Sequence, residues 1–199
     1  MVNSGPTAPR VGILAVQGDV GAHAGVLEAL GCEATEVLRE KDLDGLEGLI
    51  LPGGESTTIS RGIERLRLAG PIRSFAASGG RILGTCAGAI LLAREVENHP
   101  VACLGLLDVV AVRNAYGTQV DSFATRPDPG GAPELADLDL VFIRAPRLRR
   151  PGPGIEVLLR HEGWPVLVRE GRIWAATFHP ELRGDSRVHR RWLGEALSG

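Results

Sequence analysis

The first half of the chain alternates short apolar runs with segments of helical periodicity, and this alternation constrains the fold more than any other feature. Residues 11–16 (VGILAV) are apolar throughout, which is typical of a strand buried on both faces. Helices predicted to begin at Asp19, Ser56 and Ala87 separate this strand from others. The alternation predicts an α/β fold with a parallel sheet. The further strands are predicted at 34–38, 48–51 and 81–84, and helical segments at 72–77 and 87–96.

The second half of the chain contains strand-like runs with little helix between them. We expect several of these strands to be antiparallel additions to the sheet. Residues 125–137 and 147–154 are rich in Pro, Gly and Arg and are predicted loops. A last helix, capped by Asp185 or Ser186, is predicted to bury Val188, Trp192, Leu193 and Leu197. The strand-like runs are 104–112, 141–145, 155–159, 166–168 and 173–178.

Length and composition narrow the class of protein. A chain of 199 residues suits a single domain with a sizeable core, so we predict a flexible leader over 1–10 and one domain over 11–199. The net charge of −2 argues against a sequence-independent nucleic-acid binder. The N-terminus lacks a signal-peptide pattern, and no apolar run is long enough for a membrane span. Together these features predict a cytoplasmic protein that contacts neither nucleic acid nor membrane.

The three cysteines carry no disulfide or zinc pattern. They are Cys32, Cys86 and Cys103, an odd number without framework spacing or a CxxC pair. We therefore expect free thiols and no metal site. Cys32 and Cys103 lie in no recognisable motif and are interpreted as buried or incidental.

Cys86 stands in the pentapeptide Gly84-Thr85-Cys86-Ala87-Gly88, between a predicted strand and a predicted helix. This Gly-x-nucleophile-x-Gly pattern is that of a nucleophile elbow, in which glycines remove side chains that would clash at a sharp turn. The start of the following helix favours a thiolate and offers backbone N–H groups to an oxyanion. The competing interpretation is a buried cysteine in a glycine-rich turn.

A thiol nucleophile needs a base, and the base needs an orienting group. Of the five histidines, His179 is the best placed, because it ends an apolar strand and opens Phe178-His179-Pro180-Glu181. Glu181 could turn back to the imidazole. His23 lies on the apolar face of the first predicted helix and is interpreted as a packing or interface residue. His189, beside two arginines, is expected on a solvated helix face.

These two motifs together resemble the Cys-His-Glu triad of class I glutamine amidotransferases. Three further stretches narrow the resemblance to the glutaminase subunit of pyridoxal 5'-phosphate synthase: LAVQG at 14–18, LPGGESTT at 51–58, and RNAYG with QVDSF across 113–123. FIRAP at 142–146 agrees with them. The resemblance runs from about Val11 to the last helix. It implies a flavodoxin-like, three-layer sandwich with a mostly parallel central sheet, helices on both faces and added antiparallel strands.

The same resemblance implies an activity and a partner. Members of that family hydrolyse L-glutamine to L-glutamate and ammonia, and a synthase subunit in a large hetero-oligomer uses the ammonia to make pyridoxal 5'-phosphate from a pentose phosphate and a triose phosphate. No metal or organic cofactor is implied. Cys86 is the implied nucleophile, His179 the base and then acid, and Glu181 the group that orients His179. The implied glutamine contacts are Gly54, Glu55, Ser56, Arg113, Ile143 and Arg144, and the implied oxyanion or interface residues are Gln17, Gly53 and Ala87.

Three alternatives stay open at this point. One is an amidotransferase that serves another acceptor, or a cysteine hydrolase of a related sandwich fold. The second is a non-catalytic binding module on the same fold, although the retention of Cys86, His179 and Glu181 counts against it. The third is a redox sensor that uses Cys86, although no resolving cysteine lies nearby in sequence. Glu55 also has two interpretations, as a ligand for the substrate ammonium or as part of a helix cap.

Overall fold

The computed structural model describes residues 8–113 and 122–194. The segment 114–121, which holds most of the RNAYG and QVDSF stretches, lies outside the described residues, as do residues 1–7 of the predicted leader and Leu197. The first strand begins at Arg10. Among the described residues, every helix is too short or too polar to cross a lipid bilayer.

The elements follow the predicted alternation. The α-helices are α1 (Val20–Ala29), α2 (Ser56–Arg65), α3 (Ala69–Ala77), α4 (Ala87–Leu92) and α5 (Arg187–Leu193). Short 3-10 helices cover Glu40–Leu43, Pro133–Leu135 and Pro180–Arg183. The strands are β1 (Arg10–Leu14), β2 (Glu33–Val37), β3 (Gly48–Leu51), β4 (Arg81–Thr85), β5 (Ala93–Glu97), β6 (Leu107–Val112), β7 (Ser122–Thr125), β8 (Leu140–Ile143), β9 (Arg147–Arg149), β10 (Glu156–His161), β11 (Trp164–Glu170) and β12 (Ile173–Ala176).

A seven-stranded sheet in the order β10-β11-β12-β4-β3-β1-β2 forms the centre of the molecule. Strands β2, β1, β3, β4 and β12 are parallel, and β11 and β10 extend this sheet in antiparallel fashion. Because β12 pairs with β4, the chain segments that follow these two strands emerge at the same sheet edge. That edge is the usual place for ligands in a parallel sheet.

Two apolar clusters lie on opposite faces of the sheet and give the molecule three layers. Leu49 and Leu51 of β3 pack in one cluster with α2, α3 and α4, whereas Ile50, between them, packs in the other with α1 and α5. This alternation follows from the two-residue period of a strand. The predicted α/β three-layer sandwich, with a mostly parallel sheet and antiparallel additions, is confirmed.

The prediction of helix over 87–96 is wrong at its C-terminal end. α4 ends at Leu92, and Ala93–Glu97 is the strand β5, which pairs in parallel with β6. With β9, these strands form a separate three-stranded sheet. The prediction of a loop over 147–154 is therefore wrong at its start, where Arg147–Arg149 pairs with β6. The apolar pattern of a short segment does not distinguish a helix from a strand, and the pairing partner β6 decides it here.

Candidate functional site

Cys86 occupies a strained turn between β4 and α4. Its φ of 47° and ψ of −102° lie in a region that residues with a side chain rarely adopt. The flanking glycines are required by close approaches: a Cβ on Gly84 would lie 2.6 Å from the backbone of Gly88, and one on Gly88 would collide with the backbone of Leu51. Cys86 is 7% exposed, and its Sγ lies 3.7 Å from the carbonyl oxygen of Ile143. The predicted elbow geometry is therefore present.

His179 and Glu181 form a buried pair at the same edge of the sheet. The chain leaves β12, the backbone N–H of His179 donates to the carbonyl of Val141 at 2.8 Å, and Pro180 begins a short 3-10 helix. This helix turns Glu181 back, so that its Oε1 lies 2.7 Å from Nδ1 of His179. His179 is 4% exposed and Glu181 is 5% exposed. With Nδ1 engaged by the carboxylate, Nε2 is the nitrogen left for proton transfer.

The surroundings of His179 favour its charged form. Burial alone would lower the pKa of this imidazole, but interactions with Cys86 and Glu181 outweigh burial and raise the pKa of His179 to about 10. A protonated imidazole beside a thiol is the arrangement that favours a thiolate nucleophile. The three side chains thus have the chemistry for acyl transfer.

The glycine turn after β3 forms the wall of the site that faces Cys86 and His179. Gly54 has a φ of 154°, and a Cβ placed there would lie 2.7 Å from Oε1 of Gln17. The same oxygen of Gln17 accepts a hydrogen bond from the backbone N–H of Glu55 at 2.8 Å. Gly53 lies against His179 and Cys86, where there is no room for a side chain. The turns after β1 and β3 therefore meet directly above the thiol.

Glu55, rather than Ser56, is the N-cap of α2. The Glu55 carboxylate accepts hydrogen bonds from the backbone N–H groups of Thr57 and Thr58 and from the Thr58 hydroxyl. Burial would raise the pKa of Glu55, but these hydrogen bonds outweigh it and lower the pKa to about 2. The predicted cap at Ser56 is wrong by one residue, because the longer glutamate side chain reaches the first N–H groups from the preceding position.

Arg113 joins this cap from the far end of β6. Its Nη2 donates to Glu55 at 3.2 Å and its Nη1 donates to the Thr57 hydroxyl at 3.3 Å. Its side chain is 17% exposed, so Arg113 is held in place rather than free in solvent. A guanidinium fixed in this way is suited to a carboxylate ligand.

These groups line one cleft of about 260 Å³. Of the twelve predicted site residues, ten line it, Gly53 packs against its wall, and Glu181 stands behind His179. Asp19 and Ile90 also line the cleft and were not predicted. The Asp19 carboxylate lies 3.8 Å from Nδ1 of His179. The signal for Asp19 was its place directly after Gln17-Gly18 at a strand end. The ten predicted residues in the lining are Gln17, Gly54, Glu55, Ser56, Cys86, Ala87, Arg113, Ile143, Arg144 and His179.

The prediction of a solvated His189 is wrong. His189 is fully buried, and its Nε2 lies 3.0 Å from Nδ1 of His23, which is also fully buried. Burial lowers the pKa of His189 to about 4, against a smaller opposing effect of Asp185. Burial, followed by repulsion from His189 and His179, lowers the pKa of His23 well below its ordinary value. Both imidazoles are therefore neutral at pH 7.

One grouping of potential metal-ligating side chains occurs within residues 8–113 and 122–194. It consists of Asp19, His179 and Glu181, whose ligand atoms lie within 4.8 Å of one another. The hydrogen bond between Nδ1 of His179 and Oε1 of Glu181 already accounts for the proximity of two of them. The grouping is explained by that pair and supports no metal assignment.

The comparison with known proteins decides the family. The SNO glutamine amidotransferase family matches residues 13–197. The chain belongs to this family. A relative from Parafrankia sp., pyridoxal 5'-phosphate synthase subunit PdxT, is 49% identical over 94% of this chain and 93% of its own length. The protein of the same name from Thermus thermophilus is 49% identical over 92% of this chain and 95% of its own.

Solved structures agree with this family membership. A crystal structure described as a glutamine amidotransferase superposes with a TM-score of 0.88 at 44% identity, over 95% of this chain and 99% of that one. A glutamine amidotransferase from Thermotoga maritima reaches a TM-score of 0.64 at 16% identity, over 94% of this chain and 82% of that one. The second likeness shows the fold alone. This member of the SNO family thus shares its fold with proteins well outside its immediate relatives.

Proposed function

We propose that this chain is the glutaminase subunit of pyridoxal 5'-phosphate synthase, hydrolysing L-glutamine to L-glutamate and ammonia. The observation that carries the proposal is the convergence of the Cys86 elbow and the His179–Glu181 pair on one cleft. The PdxT relatives, at 44% to 49% identity over nearly the whole chain, support the pathway. The ammonia serves a synthase subunit, which we propose binds this chain in a large cytoplasmic hetero-oligomer.

In the first half of the reaction, the thiolate of Cys86 attacks the side-chain amide carbon of glutamine. The new C–S bond produces a tetrahedral oxyanion, and the backbone N–H groups of Gly54 and Ala87 are the proposed donors to it. The C–N bond then breaks, and the imidazolium of His179 gives its proton to the departing ammonia. The product is a γ-glutamyl thioester on Cys86.

In the second half, His179 acts as a base. The negative sulfur, which helps to hold the proton on His179, is absent from the thioester, and the proton has left with ammonia. Neutral His179 takes a proton from water, the hydroxide adds to the thioester carbon, and the C–S bond breaks to release glutamate. Glu181 keeps the imidazole oriented through Nδ1 in both halves. Side chains and backbone groups of this chain act in both steps, and water is the second reactant.

The remaining cleft residues are the proposed binders of glutamine. Arg113 and Arg144 provide guanidinium groups suited to the substrate carboxylate. Glu55 is the one acidic group in the glycine turn of the cleft and suits the substrate ammonium, in addition to its role as helix cap. Gly54, Ser56 and Ile143 line the same cleft and supply its backbone surface.

We also propose that the site is completed when the synthase binds. Gln17 bridges the turns after β1 and β3 through its bond to the N–H of Glu55, and it stands next to Gly54. A partner that displaces Gln17 or Gly53 would reorient the N–H groups above Cys86. This is an induced-fit arrangement, in which an idle glutaminase avoids releasing ammonia without an acceptor.

The test measures ammonia release from glutamine by the purified chain, alone and with its synthase partner, alongside Cys86→Ala. The proposal expects release that needs both the synthase and Cys86. If ammonia release does not depend on the synthase, the cysteine mechanism stands, but the ammonia must serve another acceptor. Full activity of Cys86→Ala would refute the mechanism. Absence of release under every condition would favour a binding module on the same fold.

A further inference from the structure

Two buried histidines outside the triad lie directly behind Glu181. Nε2 of His23, on α1, is 3.6 Å from Oε2 of Glu181 and 3.1 Å from the Thr85 hydroxyl oxygen. Nδ1 of His23 is 3.0 Å from Nε2 of His189, on α5. His23, Thr85 and His189 are all fully buried. A continuous row of polar groups therefore runs from Cys86 through His179 and Glu181 into the protein interior.

The groups at the two ends of this row decide which ring nitrogen of His23 and of His189 carries the proton. Among the described residues, Nδ1 of His189 has no hydrogen-bond partner. A neutral His189 with its proton on Nε2 donates to Nδ1 of His23, and His23 must then carry its own proton on Nε2. The opposite arrangement would bury an unpaired N–H on His189 and would place a lone pair of His23 against the Glu181 carboxylate. The first arrangement is favoured at both ends. It places an N–H on Nε2 of His23, which lies 3.1 Å from the Thr85 hydroxyl oxygen and 3.6 Å from Oε2 of Glu181, so both oxygens lie near this donor.

The buried carboxylate of Glu181 needs a nearby N–H donor. Its Oε1 is engaged by His179, whereas its Oε2 is buried and has no hydrogen bond within residues 8–113 and 122–194. An ionised carboxylate in such a place is costly unless a donor or positive charge faces it. While His179 is protonated, the imidazolium provides that charge. During the step in which His179 is neutral, the N–H of His23, whose nitrogen is 3.6 Å from Oε2, is a donor beside this carboxylate.

We propose that His23 is a positioning residue of the reaction: with support from His189 and Thr85, it stabilises the ionised form of Glu181 while His179 is neutral. The inference rests on the proposed function, because it assigns His23 to a step of glutamine hydrolysis. His23 touches neither substrate nor reacting atoms and acts through Glu181. It extends the three-residue site into a longer buried row.

The sign of the expected effect follows from the two states of His179. Loss of the His23 donor destabilises the state with neutral His179 more than the state with imidazolium, so the imidazole holds its proton more tightly. The pKa of His179 therefore rises, and the base needed for thioester hydrolysis forms only at higher pH. The titratable groups around this row are Asp19 before α1, Cys86 in the elbow, His179 and Glu181 after β12, Asp185 before α5, His23 and His189.

The experiment compares His23→Asn with His23→Gln. The amide nitrogen of glutamine reaches as far along the side chain as Nε2 of histidine, whereas that of asparagine reaches only as far as Nδ1. His23→Asn should lose about ten- to a hundredfold in kcat with the synthase present, the range seen when the partner behind a metal-ligating histidine is removed. The acid limb of its kcat–pH profile should move upward, with KM nearly unchanged. His23→Gln should stay near the wild type, and Leu27→Ala, a buried substitution on the same helix, should leave the profile in place.

A second measurement does not need glutaminase activity. In a Cys86→Ala background, the imidazole of His179 is titrated by NMR, and His23→Asn should raise its pKa by about one unit, which is a tenfold change in proton affinity. If His23→Asn fails to fold, His189→Leu should move the pKa of His179 in the same direction. An unchanged pKa, with a loss of activity no larger than that of Leu27→Ala, overturns the proposal. If the wild type has no glutaminase activity, the proposed function is wrong, and the NMR titration of His179 still tests the role of His23.

Discussion

Gly53 lies against the imidazole of His179: a Cβ added at Gly53 would lie 3.1 Å from Nδ1 of His179, would collide with its Cε1 and would stand 3.4 Å from the Cβ of Cys86. The first glycine of the turn after β3 therefore sets how closely two side chains from β4 and β12 meet. The absence of a side chain at Gly53 is a condition for the pairing of thiol and imidazole.

Gly53→Ala should abolish most of the activity without unfolding the protein. The added methyl group displaces the His179 ring, and a displacement of about 1 Å in a reacting group can reduce a rate about a hundredfold. Ammonia release with the synthase present measures the loss. Gly70→Ala is the matched control, because Gly70 is exposed on α3 and a Cβ there meets open space. Equal activities of the two variants would show that His179 has room to move.

The burial of His189 predicts a loss of stability in mild acid. Its pKa falls from an ordinary 6.5 to about 4 in the folded protein, so between these values the unfolded chain binds more protons. The free energy of unfolding should therefore decrease as the pH falls from about 6.5 to about 4, by about 1.4 kcal/mol per pH unit for one fully linked group.

Urea denaturation at several pH values measures this slope. His189→Leu should reduce the slope, because the titrating group is gone. His99→Gln, at an exposed histidine in the loop after β5, should leave it unchanged. A slope that is the same in wild type and His189→Leu would mean that other groups cause the acid sensitivity.

The sequence predicts those parts of the fold and of the site that leave a pattern in residues close together in the chain. The apolar runs predicted the strands, and the glycines around Cys86 predicted the elbow, because both features leave a pattern in consecutive residues. The burial of His189 was missed although its signal is also local, because Arg190 and Arg191 suggested a solvated face. The spacing contained a better signal, since His189 precedes Trp192 by three residues and Leu193 by four, which places all three on one helix face.

The parts that the sequence could not predict depend on partners distant in the chain. Residues 93–97 form a strand because β6 lies beside them, and no pattern within these residues predicts that pairing. Asp19 lines the cleft because the turns after β1 and β3 converge; its place at a strand end was a signal for a site, but nothing in the sequence indicated that these two turns meet. The contact between His23 and Glu181 joins residues 158 positions apart, which only the folded chain brings together.

The three thiols should differ in reactivity. Burial raises the pKa of Cys103 to about 11 and raises that of Cys32 as well, so both stay protonated at neutral pH. Cys86 lines the cleft beside the imidazolium of His179. Limited alkylation with iodoacetamide at neutral pH, followed by peptide mass spectrometry, should find Cys86 modified first. His179→Gln should slow labelling of Cys86 only; preferential labelling of Cys103 would contradict this ordering.

The glycine after the elbow should be structurally required, unlike a glycine on α1. A Cβ on Gly88 would collide with the carbonyl oxygen of Leu51 and would lie 2.8 Å from the carbonyl carbon. Both are backbone atoms of β3, so moving them aside costs free energy. Gly88→Ala should therefore lower the free energy of unfolding by about 3 kcal/mol. Gly25→Ala, exposed on α1 with open space around it, should raise it by about 0.5–1 kcal/mol. Urea denaturation measures both, and equal effects would show that the elbow backbone relaxes.

Glu55 and Arg113 allow the two interpretations of Glu55 to be separated. If Glu55 both caps α2 and binds the substrate ammonium, then Glu55→Ala should lower the free energy of unfolding by about 1 kcal/mol, the usual loss for a helix N-cap, and should also raise KM for glutamine. Arg113→Ala should raise KM with little change in stability, because the two side-chain hydrogen bonds that tie it to the helix start, to Glu55 and Thr57, are partly exposed. Arg172→Ala, an exposed arginine that donates to the carbonyl of Gly79, is the control for both measurements. A destabilised Glu55→Ala with an unchanged KM would mean that the carboxylate only caps the helix, and the substrate ammonium would then need another partner, for which Asp19 is the acidic side chain already in the cleft.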